Sequence, residues 1–147
     1  MPSKVLIIGA GPSGTACAAT LHRLGHDVTV VDKATFPRDK CCGDGLTTNA
    51  LRILDQLGFD PSRVPDWQVT SDVHVHSPFG RTIELALPNV GGIFAAIAPR
   101  SQFDALVQHC RDAGITIHEG HAFVSLSETD TSVVVEVEGL EPFNVDY

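Results

Sequence analysis

Residues 4–14, KVLIIGAGPSG, restrict this chain more than any other stretch in it. Residues 4–9 form a continuous apolar run of strand length, the kind buried on both faces of a parallel sheet, and are read as its central strand. The run ends in Gly-x-Gly-x-x-Gly at Gly9, Gly11 and Gly14, and a helical pattern opens at Pro12. Cys17, Leu21 and Leu24 then fall at i, i+4 and i+7, which puts them on the inward face, and Gly25 stands where the helix ends. A second strand over residues 27–33, DVTVVDK, finishes at an acid. Strand, glycine turn, helix and strand with a terminal acid make a βαβ unit built to hold a dinucleotide.

Each residue of the loop has its own task. Gly9 permits the tight turn, Gly11 removes a side chain where a pyrophosphate must approach, and Gly14 lets helix and strand pack closely. Pro12 sits in the first helical turn at no hydrogen-bonding cost, and the free N–H groups and positive dipole end beside it suit an anion. Ser13 adds a hydroxyl donor. Asp32, 18 residues after Gly14, is placed to accept from the adenosine ribose hydroxyls. Its charge would repel a 2′-phosphate, which disfavours NADP and leaves NAD and FAD open.

The rest of the chain adds helices and antiparallel strands. A second helix is expected from about Thr48 to Leu57, with Leu51 and Leu54 inward and Gly58 as its stop. Val73 and Val75 alternate with Asp72, His74 and His76, and Ile83, Leu85 and Leu87 alternate again after SPFG, which predicts a hairpin with one wet face. Phe103, Leu106, Val107 and Cys110 mark one amphipathic helix ended by Gly114. Strands are expected at residues 115–118, 121–127 and 132–138. Cys17 and Cys110 read as core fillers.

A chain of 147 residues with a net charge of -8 is sized for one full core and has no basic surface for nucleic acid. Small molecules or proteins are the expected partners. No apolar run approaches the roughly 20 residues of a membrane span, and with no signal-peptide layout the expected location is cytoplasmic. Four cysteines, at 17, 41, 42 and 110, have neither the density of a disulfide framework nor the spacing of a zinc site. His74 and His76 lack a third ligand of convincing spacing, so no metal site is assigned. No residue stands out as a general acid, and no catalytic residue is assigned either.

Three segments in order, VLIIGAGPSGTACAATLHRLGHDVTVVDK, FPRDKCCGDGLTTNAL and PRSQFDALVQHCRDAG, resemble the p-hydroxybenzoate-hydroxylase-like flavoproteins, and within them the geranylgeranyl reductase group. The resemblance covers essentially the whole chain, and its second segment is the most specific. It implies FAD as the cofactor and a loop in which Cys42, Gly43, Asp44 and Gly45 pass beside the flavin, with Cys42 matching the family's cysteine near the isoalloxazine. It implies that Arg100 reaches the FAD backbone and that Phe123 touches adenine through backbone atoms, and Lys33 joins Asp32 at the nucleotide end. The implied fold is α/β, a Rossmann-like FAD/NAD(P)-binding βαβ domain with an additional β-hairpin and antiparallel strands, apparently truncated. Residues 1–147 form the FAD-binding portion, and 68–98 begin a substrate-side sheet. The complete protein would reduce isoprenoid-type double bonds. The alternatives are a fragment of an aromatic monooxygenase and a non-catalytic dinucleotide-binding or interaction module. Self-association, or pairing with a missing C-terminal part, is expected.

Overall fold

The computed structural model describes residues 1–42, 44–88 and 90–147. The chain divides into two compact units, Met1–Asp39 with Phe103–Tyr147, and Lys40–Gln102.

In the first unit, β1 (Lys4–Ile8), β2 (Asp27–Asp32) and β8 (Thr116–Glu119) form a parallel sheet in the order β1-β2-β8. The middle of this sheet is β2, not β1. The composition of β2 explains the burial, since Val28, Val30, Val31 and Asp32 are all buried, whereas β1 keeps Val5 and Ile7 half-buried and Ile8 half exposed. The outer edge of β1 still has partners: Leu6 N–H donates to the Tyr147 carbonyl at 3.0 Å and Asp146 N–H to the Lys4 carbonyl at 2.9 Å.

Side chains alternate across β2, so Val28, Val30 and Asp32 share one face and Val31 lies on the other. Helices α1 (Pro12–Arg23) and α4 (Ala105–Asp112) pack together in this unit, α1 against β2 and α4 against β8. Leu6 and Val31 belong to a core that also holds Val135, Val137 and Val145. Those valines come from an antiparallel sheet of β9 (Phe123–Glu128), β10 (Val133–Val137) and β11 (Phe143–Val145), with β10 in the middle.

The inward face of α1 differs from the sequence expectation. Thr15, Ala18 and Ala19 are buried, while Cys17 is exposed and Leu24 is 70% exposed. Close packing and the helix end are the causes. A Cβ at Gly14 would stand 1.8 Å from the Gly9 carbonyl oxygen, so the first turn of the helix meets the loop tightly, while Leu24 lies past the last helical residue as the C-cap and leaves the buried face. Cys110, in contrast, is buried as expected, and its Sγ–H donates to the Thr15 carbonyl at 3.3 Å, tying α4 to α1. Burial pushes the Cys110 thiol up to about 11.

The single helix expected from the PRSQF segment is two pieces, α3 (Arg100–Phe103) and α4, parted at Asp104. The buried Asp104 makes no cap hydrogen bond to α4, and its Oδ2 instead accepts the Arg38 N–H at 2.8 Å.

In the second unit, α2 (Thr48–Leu57) keeps its expected bounds, with Thr47 accepting from Ala50 N–H and Gly58 at its end. Leu54 and Leu57 are its buried residues. Three short strands the sequence did not announce, β3 (Gly45–Thr47), β4 (Gln68–Val69) and β7 (Ala95–Ile97), form an antiparallel sheet with β7 in the middle. The hairpin of β5 (Asp72–His76) and β6 (Thr82–Ala86) is present with Val75 opposite Ile83. Its apolar face is not covered as expected: Val73, Val75, Ile83 and Leu85 are 40 to 60% exposed, because among the described residues no layer packs on either face of the two strands.

Candidate functional site

The glycine turn after β1 is built by backbone constraints. Gly9 holds a φ of 109°, a conformation that L side chains rarely adopt, and its N–H donates to the Val31 carbonyl at 2.7 Å. Gly11 is the N-cap of α1 in an extended conformation, and Pro12 follows in the first turn. The Gly11 carbonyl accepts from Thr15 N–H at 2.9 Å and from Thr15 Oγ1 at 3.0 Å. By helix geometry the amides of Ser13 and Gly14 have no intrahelical acceptor, and no side chain caps this end. A positive dipole end with uncapped donors and no Cβ in the way is a cradle for phosphate oxygens.

Asp32 closes the turn from the side. It is buried, its Oδ2 accepts the Ala10 N–H at 2.8 Å, and its Oδ1 accepts the Ala34 N–H at 2.8 Å. The carboxylate therefore pins the middle peptide of the glycine turn, a structural task that its place at the strand end did not reveal. Each oxygen keeps acceptor capacity for a ribose hydroxyl. Arg38 approaches the same carboxylate, with Nη2 3.6 Å from Oδ2, and its guanidinium lies 5.0 Å from the centre of the Phe36 ring. Its Nε is buried and has no hydrogen-bond partner among the described residues. Sequence reasoning passed over Arg38; the clue available was a cation six residues beyond the acid on a segment too short to carry it far from the strand end.

Lys33 is exposed beside Asp32, and Phe123, at the start of β9, is 40% exposed. In the second unit the structure brings two of the expected residues together. Arg100 N–H donates to Asp44 Oδ1 at 3.0 Å, and the Ala98 N–H donates to the Asp44 carbonyl at 2.9 Å. Asp44 has a φ of 53°, in the left-handed region that a short polar residue tolerates. Arg100 is buried. Cys41 and Cys42 are exposed free thiols, and Gly43 lies outside the described residues. His74 Nε2 stands 3.3 Å from Asp72 Oδ1 on the exposed hairpin. A cavity of about 450 Å³ opens beside α2, its wall mixing apolar side chains such as Leu51, Phe59, Trp67 and Phe94 with the charged Arg52 and Asp55.

This geometry defines a dinucleotide-binding βαβ unit, and comparison with known proteins makes the class specific. The profile of a family described as FAD binding domain matches residues 2–142, so the chain belongs to that family and FAD is its cofactor. The chain is 43% identical over 108 residues to the menaquinone reductase of Mycolicibacterium smegmatis, across 69% of this chain and 25% of that protein. It is 29% identical over 149 residues to the FAD-dependent monooxygenase notI of an Aspergillus species, across 92% of this chain and 32% of the relative. Among solved structures, the flavin-dependent halogenase CmlS superposes with a TM-score of 0.85 at 29% identity, over all of this chain and 28% of that one. The chain thus spans about a quarter to a third of the length of these proteins.

The residues present fit the cofactor's nucleotide end. The Gly14 contact forbids any larger residue, the first-turn amides lack intrahelical acceptors, and a buried guanidinium nitrogen beside Asp32 lacks an acceptor that a ligand oxygen would supply.

Proposed function

We propose that this chain is the cofactor-binding part of a flavin-dependent oxidoreductase that, in its complete form, reduces isoprenoid-type double bonds. The observation that carries this reading is the 43% identity to a menaquinone reductase over 108 residues, a stretch far longer than a glycine motif. The segment FPRDKCCGDGL, which resembles the reductase group, agrees with it.

In this reading Gly9, Gly11, Pro12, Ser13 and Gly14 take the pyrophosphate, and Asp32 with Lys33 takes the adenosine ribose. Cys42, Gly43, Asp44 and Arg100 serve the flavin side, and Phe123 the adenine. Residues 68–98 begin the substrate-side sheet. FAD, when bound and reduced, supplies hydride chemistry; the chain's own residues bind and orient it. The Asp44 carboxylate holds the backbone at Arg100, which fixes where that guanidinium starts.

A second reading, an FAD-dependent monooxygenase, rests on the 29% identity to notI over nearly the whole chain. A chimera decides between them. Residues 1–147 replace the equivalent part of the Mycolicibacterium smegmatis menaquinone reductase, and the product is weighed by mass spectrometry. Gain of two hydrogens supports the reductase, and gain of one oxygen the monooxygenase. A chimera that folds, binds FAD and yields only the oxygenated product would refute the first reading.

A further inference from the structure

We propose that Arg38 is a ribose contact of the nucleotide site, donating to the hydroxyl oxygens whose protons Asp32 accepts. The inference rests on the reading that the glycine turn holds the ADP half of FAD. A ribose hydroxyl is both donor and acceptor, and an ionised carboxylate answers only the first of these capacities. Asp32 alone leaves each hydroxyl oxygen without a donor.

The structure puts a donor there. Of the two Asp32 oxygens, the one that takes the Ala10 N–H of the glycine turn is also the one Arg38 approaches, so the guanidinium stands on the loop side of the carboxylate. At 3.6 Å the pair is an ion pair outside hydrogen-bond reach, and the arginine donors are not used up on Asp32. Nε is buried and has no partner among the described residues, so the donors open to a ribose oxygen are those of the partly exposed guanidinium head. The residue is held at that spot at its backbone and at its head. Asp104 Oδ2 takes the Arg38 N–H at 2.8 Å, and the Phe36 ring supports the guanidinium at 5.0 Å. An arginine fixed at its backbone and stacked at its head, beside the acid that receives ribose, has the placement of a ligand contact.

The test is a cycle between residue and ligand, read by calorimetric titration of the whole chain with ADP and with 2′,3′-dideoxy-ADP. Arg38→Ala is expected to weaken ADP about tenfold, the scale of one charge-assisted hydrogen bond, and to change dideoxy-ADP by less than about twofold. Arg38→Lys restores part of the loss. In an Asp32→Asn background the further Arg38→Ala change still weakens ADP, which a role confined to steering Asp32 would not produce. Circular dichroism checks each variant, and Arg38→Gln stands in if the alanine variant does not fold. Equal losses for both nucleotides, or no loss in the Asp32→Asn background, overturn the proposal while leaving the cofactor assignment intact. Failure of the unmodified chain to bind ADP at all overturns both.

Discussion

At the scale of single residues, the glycine turn separates two kinds of damage. Gly14 meets the Gly9 carbonyl so closely that a methyl group cannot be admitted without moving backbone, so Gly14→Ala should cost about 1–3 kcal/mol of stability, lower the melting temperature and weaken ADP binding together. Gly11 has an ordinary φ of -70°, so its backbone does not need glycine, and the proposed pyrophosphate contact is what a side chain there would block. Gly11→Val should therefore melt near the parent temperature yet lose measurable ADP binding in calorimetry. A folded Gly11→Val variant with parental affinity would contradict the pyrophosphate assignment.

Cys110 gives a prediction with a pH sign. Its thiol is raised from the usual 9.0 to about 11 by burial, so the folded state holds the proton more tightly than the unfolded one. This stabilisation is fully present below about pH 9 and is lost as pH rises from there through about 11, a span worth on the order of 2 kcal/mol. Denaturant titrations should show that alkaline loss in the parent and a smaller one in Cys110→Ala. In the same protein at pH 8, a thiol reagent should label the exposed Cys17, Cys41 and Cys42 quickly and Cys110 only on unfolding.

At the scale of elements, legibility followed how local each cause was. The bounds of α2 could be read because its threonine cap, leucine spacing and terminal glycine all lie within the segment. Gly9, Gly14 and Asp32 were legible because a strand, a turn and an acid at fixed spacing have one compact arrangement. The inward face of α1 was legible only in part, since Thr15, Ala18 and Ala19 are buried, Leu21 is half-buried, and Leu24 falls past the helix end as its C-cap. The short strands β3, β4 and β7 were missed. Two or three residues carry no period of their own and become strands only by pairing, as Leu46 and Val69 do with Ala96. The Asp44 bond to Arg100 spans 56 residues, beyond the reach of any local pattern.

The hairpin carries an element-scale prediction. Val73, Val75, Ile83 and Leu85 make an exposed apolar face on two strands that have no covering layer, a surface prone to self-association. Val75 and Ile83 are directly opposite, so replacing them together as Val75→Lys and Ile83→Glu keeps a favourable cross-strand pair while removing the apolar centre. Sedimentation should show concentration-dependent association of the parent and a monomer for the double variant, with unchanged circular dichroism. Equal association in both would place the contact elsewhere.

At the scale of the whole molecule, the site residues fall into two groups, the glycine turn with Asp32 and Arg38 in one compact unit and Asp44 with Arg100 in the other. The first group has the features the proposed nucleotide site calls on: an uncapped helix start, a buried carboxylate with acceptor capacity, and an arginine beside it. Binding energy is set by the few well-formed contacts, so affinity should follow the part of the ligand that meets them. FAD and ADP are therefore expected to bind this chain within about threefold of each other, since the added isoalloxazine brings few further well-formed contacts. Asp32→Ala should weaken both by a similar factor, about 1–3 kcal/mol, because both present the same ribose to it. Parallel calorimetric titrations of the two ligands against parent and variant check this. FAD binding a hundredfold tighter than ADP would show that the residues proposed for the flavin side supply most of the grip, and would overturn the expectation that the nucleotide contacts set the affinity.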